Sequence, residues 1–208
     1  MRRAINIGID REEMIDNVLN GYGTPAYSVC DKMPWYNPSA QVAYDPDAAK
    51  QLLEEAGWTQ GSDGIREKDG VRAAFSVMYT PGDSVRQALA EDLANQLREL
   101  GIEVTTEGAG WDVAYDKAQA QPLVWGWGAH TPMELYNIYH TLPATGSAEY
   151  SPYSNKAVDN YMDGALKAGD LESTYELWQK AQWDGKTGVH PHGHGWSIVN
   201  NVDQWEWK

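Results

Sequence analysis

The sequence predicts an α/β fold in which βαβ units build a mixed sheet flanked by helices. Three observations predict it. First, residues 73–80 alternate in polarity as a half-buried strand does. Residues 84–100 then place Val85, Leu89, Leu93, Leu97 and Leu100 at helical spacing, and Ile102, Val104 and Thr106 alternate again. A strand period that gives way to a helical one and returns, with Gly101 ending the helix, marks a parallel pair joined by a right-handed crossover. Second, the apolar run Leu123, Val124, Trp125, set between Pro122 and Gly126, reads as a buried strand end that feeds a helix. Third, 208 residues suffice to bury a real core, as one domain or one large lobe.

The remaining elements follow from local chemistry. Asp10 is placed to cap a helix, with Glu13 completing a capping box. Met14, Ile15, Val18 and Leu19 form its apolar stripe, and Gly21 and Gly23 stop it. Residues 24–37, rich in Pro, Tyr and small side chains, read as an ordered irregular segment. Asp45 and Pro46 open a second helix that buries Ala49, Leu52, Leu53 and Ala56 and ends at Gly57. The Asp63-Gly64 and Asp69-Gly70 pairs within residues 59–70 predict a hairpin. A short helix is expected over 111–120. Thr131 is expected to cap another helix, with Pro132 at its first position and Glu134 in its first turn. Residues 155–166 and 170–182 read as two more. There is no internal repeat and no low-complexity tract.

Charge narrows the function. Sixteen Lys and Arg stand against 30 Asp and Glu, a formal net charge of −14, which excludes the basic footprint that nucleic acid requires. Ten Trp and 12 Tyr accompany a single Phe, a balance of amphipathic rings that suits pockets and interfaces as well as cores. The lone Cys30 forms no internal disulfide and offers no nucleophile with a His partner. No phosphate-binding Gly-rich loop and no HExxH pattern occurs, so no residue is assigned as catalytic and no cofactor is expected. Met1, Arg2 and Arg3 lead straight into Ala4, Ile5, Asn6 and Ile7 without a signal-peptide pattern, and the start reads like the middle of a domain.

The candidate site is the stretch LVWGWGAHTPMELYNIYHT, residues 123–141. Gly126 and Gly128 leave room for the backbone to turn or to approach a ligand. A strand end that carries Trp and Gly into a helix start is a common place for a small-molecule cleft in an α/β protein. Trp127, beyond the first glycine, is the better candidate for the cleft, and Trp125 the better candidate for the core. His130 is either a ligand contact or a surface His at a helix start. Tyr136 and Tyr139, three apart, share one helix face, which points either to the cleft or to the core. Near the end, His190, His192 and His194 alternate. Imidazoles so placed could hold a metal, but with no nearby Cys or placed carboxylate the preferred reading is an ordered, hydrogen-bonded tail.

Several segments together resemble one family. RRAINIGIDREEMIDNVLNGYGTPA, YDPDAAKQLLEEAGW and FSVMYTPGDSVRQALAEDLANQLRELGIEV, followed by WGWGAHTPMELYNIYHT, are similar to the C-terminal half of the family 5 extracellular solute-binding proteins. These are the oligopeptide-, dipeptide- and nickel-binding receptors of ABC importers. The resemblance implies a lobe of the periplasmic-binding-protein type II kind, residues 1–208 forming one C-terminal ligand-binding lobe with the first lobe absent. It implies an extracytoplasmic place, a peptide or small-solute ligand held between two lobes, and delivery to an ABC permease. Relatives that bind peptides usually carry an Asp just after the Gly-Trp turn, where this chain has Gly128, Ala129, His130 and Thr131. In nickel-type relatives a His and aromatic rings of this lobe help to hold a metal chelate, which is the role His130 would take. Relatives ending in HPHGHGW usually carry an aromatic, strand-rich segment before the histidines. Here Gly188 and Val189 run directly into His190, and a segment near 188–190 is expected to be missing. Two rival classes stay open: a small metal-dependent hydrolase using the His-rich tail, and an interaction module with an aromatic surface.

Overall fold

The computed structural model describes residues 1–28, 30–117, 120–126, 131–141 and 154–183. They fall into two compact units, one formed by Met1–Pro25 and Val42–Trp125, the other by Ala26–Gln41 and described residues from Gly126 onward.

The first unit carries the sheets. It opens with α1 (Arg2–Ile7) and α2 (Arg11–Leu19). The Asp10 carboxylate accepts from the amides of Glu12 and Glu13, satisfying two donors that a helix start leaves orphaned. The stop of α2 is Asn20, in the left-handed conformation at φ 51°, one residue before the expected Gly21. Of the expected stripe, Met14 is fully buried, while Ile15, Val18 and Leu19 are half-buried. Helix α3 (Pro46–Glu55) starts as expected, with Asp45 accepting from the Ala48 amide and Pro46 at the first position.

The expected hairpin is a three-stranded antiparallel meander, β1 (Thr59–Gln60), β2 (Arg66–Lys68) and β3 (Val71–Arg72). Asp69 and Gly70, both at positive φ, form the two-residue connection between β2 and β3. The predicted βαβ unit follows. β4 (Ala74–Tyr79) and β5 (Glu103–Gly108) pair in parallel, Ala74 opposite Glu103 and Tyr79 opposite Gly108, joined by α4 (Ser84–Glu99). Leu89, Leu93 and Leu97 are buried, but Val85, in the first turn, is 46% exposed. The strict alternation expected over 73–80 fails at Met78, which is buried like its neighbour Val77. The parallel and antiparallel strands form two sheets among the described residues.

The expected strand at Leu123–Trp125 is a single parallel bridge from Leu123 to Met78. The Met78 amide donates to the Pro122 carbonyl oxygen, and the Val124 amide to the Met78 carbonyl oxygen, each at 2.8 Å. The pairing stops there, so the segment runs beside β4 without lengthening into a strand. After β5 comes α5 (Trp111–Lys117).

Among the described residues of the second unit the elements are helices: α6 (Met133–Tyr139), α7 (Lys156–Leu166) and α8 (Tyr175–Gln182), with short 3-10 turns at Pro38–Ala40 and Glu172–Thr174. Thr131 Oγ1 accepts from the Met133 amide, and Pro132 already has helical dihedrals, so the expected start holds to within one residue. The Asn155 side chain caps α7 by accepting from the amides of Ala157 and Val158. The described residues of 24–37 are irregular, as expected, and Cys30 and Trp35 lie in this unit's core with Leu135, Ile138, Tyr139, Val158, Met162 and Trp178.

Candidate functional site

The carboxyl end of a parallel strand pair is where an α/β sheet leaves open backbone and a crevice for ligands. In the first unit that end is marked by Tyr79 on β4 and Gly108 on β5. The Tyr79 ring lies over this strand end, 3.5 Å from where a Cβ at Gly108 would stand, an ordinary packing distance. Ala109 and Gly110 then lead into α5.

Helix α5 is seated through Ala114, which packs with Met78, Ala109 and Leu123. That seat turns Trp111 and Tyr115, four apart and therefore neighbours on one face, away from the core. Trp111 is 39% exposed and Tyr115 46% exposed. Trp125, carried there by the bridge of Leu123 to Met78, completes the group. Its ring centroid stands 5.1 Å from that of Trp111 and 6.3 Å from that of Tyr115, and the Trp111 and Tyr115 centroids are 5.7 Å apart. Beside the rings, Lys117 Nζ and Glu107 Oε1 pair at 2.9 Å. The group offers broad apolar and π surface on a rigid base, suited to non-covalent capture.

Of the residues singled out from the sequence, Trp125 belongs to this group and is half-buried, so it is neither a sealed core residue nor freely exposed. Trp127 and His130 lie outside the described residues, as do His190, His192 and His194. Tyr136 and Tyr139 belong to the second unit and part company. Tyr139 is 2% exposed in the apolar core, a packing position, whereas Tyr136 is half-buried and stacks on His140 with ring centroids 4.3 Å apart. His140 is buried, with Nε2 3.2 Å from Asp163 Oδ1. Among the described residues no group of three or more His, Cys, Asp or Glu is arranged to hold a metal ion.

Sequence reasoning missed Trp111 and Tyr115. A pair four apart on a short helix reads equally well as a core stripe. The one available signal was their position directly after a predicted strand in a βαβ unit.

The comparisons with known proteins agree with this architecture. Residues 1–149 match the family model described as "Bacterial extracellular solute-binding proteins, family 5 Middle". Protein XP55 of Streptomyces lividans is 38% identical over 190 residues, covering 87% of this chain and 35% of that protein. The oligopeptide-binding protein AppA of Bacillus subtilis is 31% identical over 198 residues, covering 88% of this chain and 36% of AppA. The chain thus spans about a third of the length of these curated relatives. Its fold matches the structure of AppA in complex with a nonapeptide with a TM-score of 0.72 at 28% identity, over 86% of this chain and 38% of AppA. It matches NikA from Brucella suis in complex with Fe(III)-EDTA with a TM-score of 0.71, also at 28% identity, over 86% of this chain and 38% of that one. The fold is α/β, of the periplasmic-binding-protein type II kind.

Proposed function

We propose a function from one premise: the chain belongs to the bacterial extracellular solute-binding proteins, family 5. It is the C-terminal ligand-binding lobe of the substrate-binding component of an ABC importer. The lobe works outside the cytoplasm, closes on a peptide or small solute together with an N-terminal lobe, and hands the ligand to a membrane permease. It is a binding protein rather than an enzyme. Among its described residues, no helix is long and apolar enough to cross a membrane.

The observation that carries this reading is the group of Trp111, Tyr115 and Trp125 at the carboxyl end of the parallel strands. An exposed ring cluster on a rigid strand end serves capture: it loses little conformational entropy on binding and buries a large area per residue. Trp127, His130 and Tyr136 keep the ligand-contact role proposed for them from the sequence, and Tyr139 packs in the core of the helical unit. AppA was solved with a nonapeptide and NikA with a metal chelate. These neighbours support a peptide or small solute as the ligand of this lobe, a nickel chelate among the candidates.

Titration calorimetry with di- to pentapeptides and with Ni(II)-histidine tests the proposal, run beside a hydrolysis assay of the same peptides with Zn(II) added. Saturable binding that Trp111→Ala weakens, with the peptides left intact, is the expected outcome. Hydrolysis would instead favour the metal-dependent hydrolase, and the absence of any binding would remove the reading altogether.

A further inference from the structure

We propose that the ring group of Trp111, Tyr115 and Trp125 is a subsite for a cationic group of the ligand, the alkylammonium or guanidinium side chain of a short basic peptide. The proposal rests on the reading of this chain as a ligand-binding lobe, and it names the chemistry that the subsite selects.

The first observation is how the rings are set. Their mutual tilts are 32° between Trp111 and Tyr115, 54° between Trp111 and Trp125, and 61° between Tyr115 and Trp125. Tilted rings at these distances set edges toward faces and cover them only in part. Trp111 and Tyr115 are exposed, so part of their ring surface is accessible to a ligand. A cation over an indole or phenol face is attracted by the ring quadrupole, most strongly over Trp.

The second observation is charge. Asp112 and Asp116 are exposed on α5, again four apart. At about 100° per residue they form the stripe next to that of Trp111 and Tyr115, on the side of the helix away from Ala114. Neither enters an ion pair among the described residues. The basic residue of α5, Lys117, is engaged by Glu107 at 2.9 Å and so does not offset them. A ligand carboxylate brought onto the rings would face two like charges, while a neutral side chain would gain nothing from them. A cation gains from the rings and the carboxylates together. The same charge would steer a basic ligand to this face, and salt would weaken that steering.

Trilysine, trialanine and triglutamate, titrated at low and at high salt and followed by Trp fluorescence and calorimetry, test the proposal. The variants are Trp111→Leu, the pair Asp112→Asn with Asp116→Asn, and, as a charge control away from the rings, the pair Glu12→Gln with Asp16→Asn on α2. Circular dichroism checks that each variant is folded. The expected result is trilysine tighter than trialanine by about tenfold at low salt, with triglutamate weakest. Trp111→Leu and the Asp112/Asp116 pair should each lose most of that preference, and the α2 pair should keep it. Charge-indifferent binding would overturn the cationic subsite and leave the ligand-binding lobe standing. A preference lost equally in the α2 pair would overturn it too, by tracing it to the overall acidity. Binding of no probe would overturn both.

Discussion

The Arg66 guanidinium donates through Nε to the carbonyl oxygen of Leu100 at 2.8 Å, tying the meander to the end of the crossover helix. The same side chain donates through Nη1 to the Trp58 carbonyl oxygen at 2.9 Å and reaches Glu54 at 3.3 Å. Its backbone amide donates to the Gly101 carbonyl oxygen at 2.7 Å. Arg66 is 4% exposed, so these bonds are shielded from water. Leu100 is the C-cap of α4, where carbonyls otherwise lack donors.

Arg66→Met should therefore destabilise the chain by about 2–4 kcal/mol, because it keeps the apolar stem but leaves two buried carbonyls without a donor. Glu54, largely exposed, can return to water and adds little. Urea unfolding measures the change, and a loss below about 1 kcal/mol would show that water replaces the guanidinium.

Gly101, the residue that stops α4, cannot carry a side chain without strain. Its φ is +81°, and a Cβ there would stand 2.8 Å from Arg66 Cγ and 3.0 Å from the Gly64 carbonyl oxygen. Gly101→Ala is expected to cost about 2 kcal/mol or more, part from the left-handed backbone and part from a contact that backbone cannot relieve. Gly82, also at positive φ but with open space around its Cβ position, is the control, and Gly82→Ala should cost visibly less.

Where one residue's chemistry decides an outcome, the sequence showed it. Asp10 and Asp45 announced helix starts because a short polar side chain satisfies orphan amides locally. The βαβ unit and its parallel pairing were visible because strand and helix periods differ so plainly between residues 73 and 106. What stayed hidden depends on neighbours distant in sequence. Met78 breaks its alternation because α5 and Leu123 cover it, and Leu123–Trp125 makes one bridge instead of a strand. Tyr136 and Tyr139 looked equivalent until the packing of α6 and α7 buried one and left the other half-open. Trp111 and Tyr115 gained their place only when the parallel pair set the end of the sheet beside them.

Cys30 is sealed in the helical unit, where the Trp35 indole donates to its Sγ at 3.1 Å. Burial is the main reason that its thiol is pushed up to about 12, well above an ordinary thiol. Since the folded state favours the protonated form, this contribution to stability is present in full below the ordinary thiol range. It is lost as pH rises from there through the folded value. At pH 8 an aromatic disulfide reagent should label the native chain only as fast as it opens, and the denatured chain at once. Prompt labelling of native protein would contradict the burial. Above pH 9, Cys30→Val should remove part of the alkaline loss of stability.

Gln182, 1% exposed, uses both ends of its amide. Oε1 accepts from Ser28 Oγ at 2.9 Å and from the Asn37 amide at 3.3 Å, while Nε2 donates to the Trp35 carbonyl oxygen at 2.6 Å and to that of Trp178 at 3.0 Å. It clamps the irregular segment around Trp35 to α8. Gln182→Leu, of similar size, should cost about 2–4 kcal/mol by orphaning a buried hydroxyl and a carbonyl together. Gln182→Glu should be milder at low pH, where the protonated acid can still donate one bond, and worse at neutral pH. Equal stability of the leucine and wild-type chains would mean that Ser28 and Trp35 find other partners.

Trp111 should separate binding from folding. Its ring is partly wet and among the described rings lies tilted against Tyr115 and Trp125, whereas α5 is anchored through Ala114. Trp111→Ala should therefore cost about 1–2 kcal/mol of stability, the transfer value of the ring area it withdraws from water. That is less than the 3–5 kcal/mol or so of a core Trp, and Trp178→Ala, at the heart of the helical unit, supplies the comparison. Ligand affinity should fall in the opposite order. Trp111→Ala should lose at least tenfold, about 1.4 kcal/mol, because the proposed subsite sets this ring against the ligand. Trp178→Ala should lose affinity only in proportion to the fraction unfolded. Thermal unfolding and calorimetric titration of both variants give the two rankings. If the two fall together in both measurements, Trp111 is a packing residue and the binding face lies elsewhere.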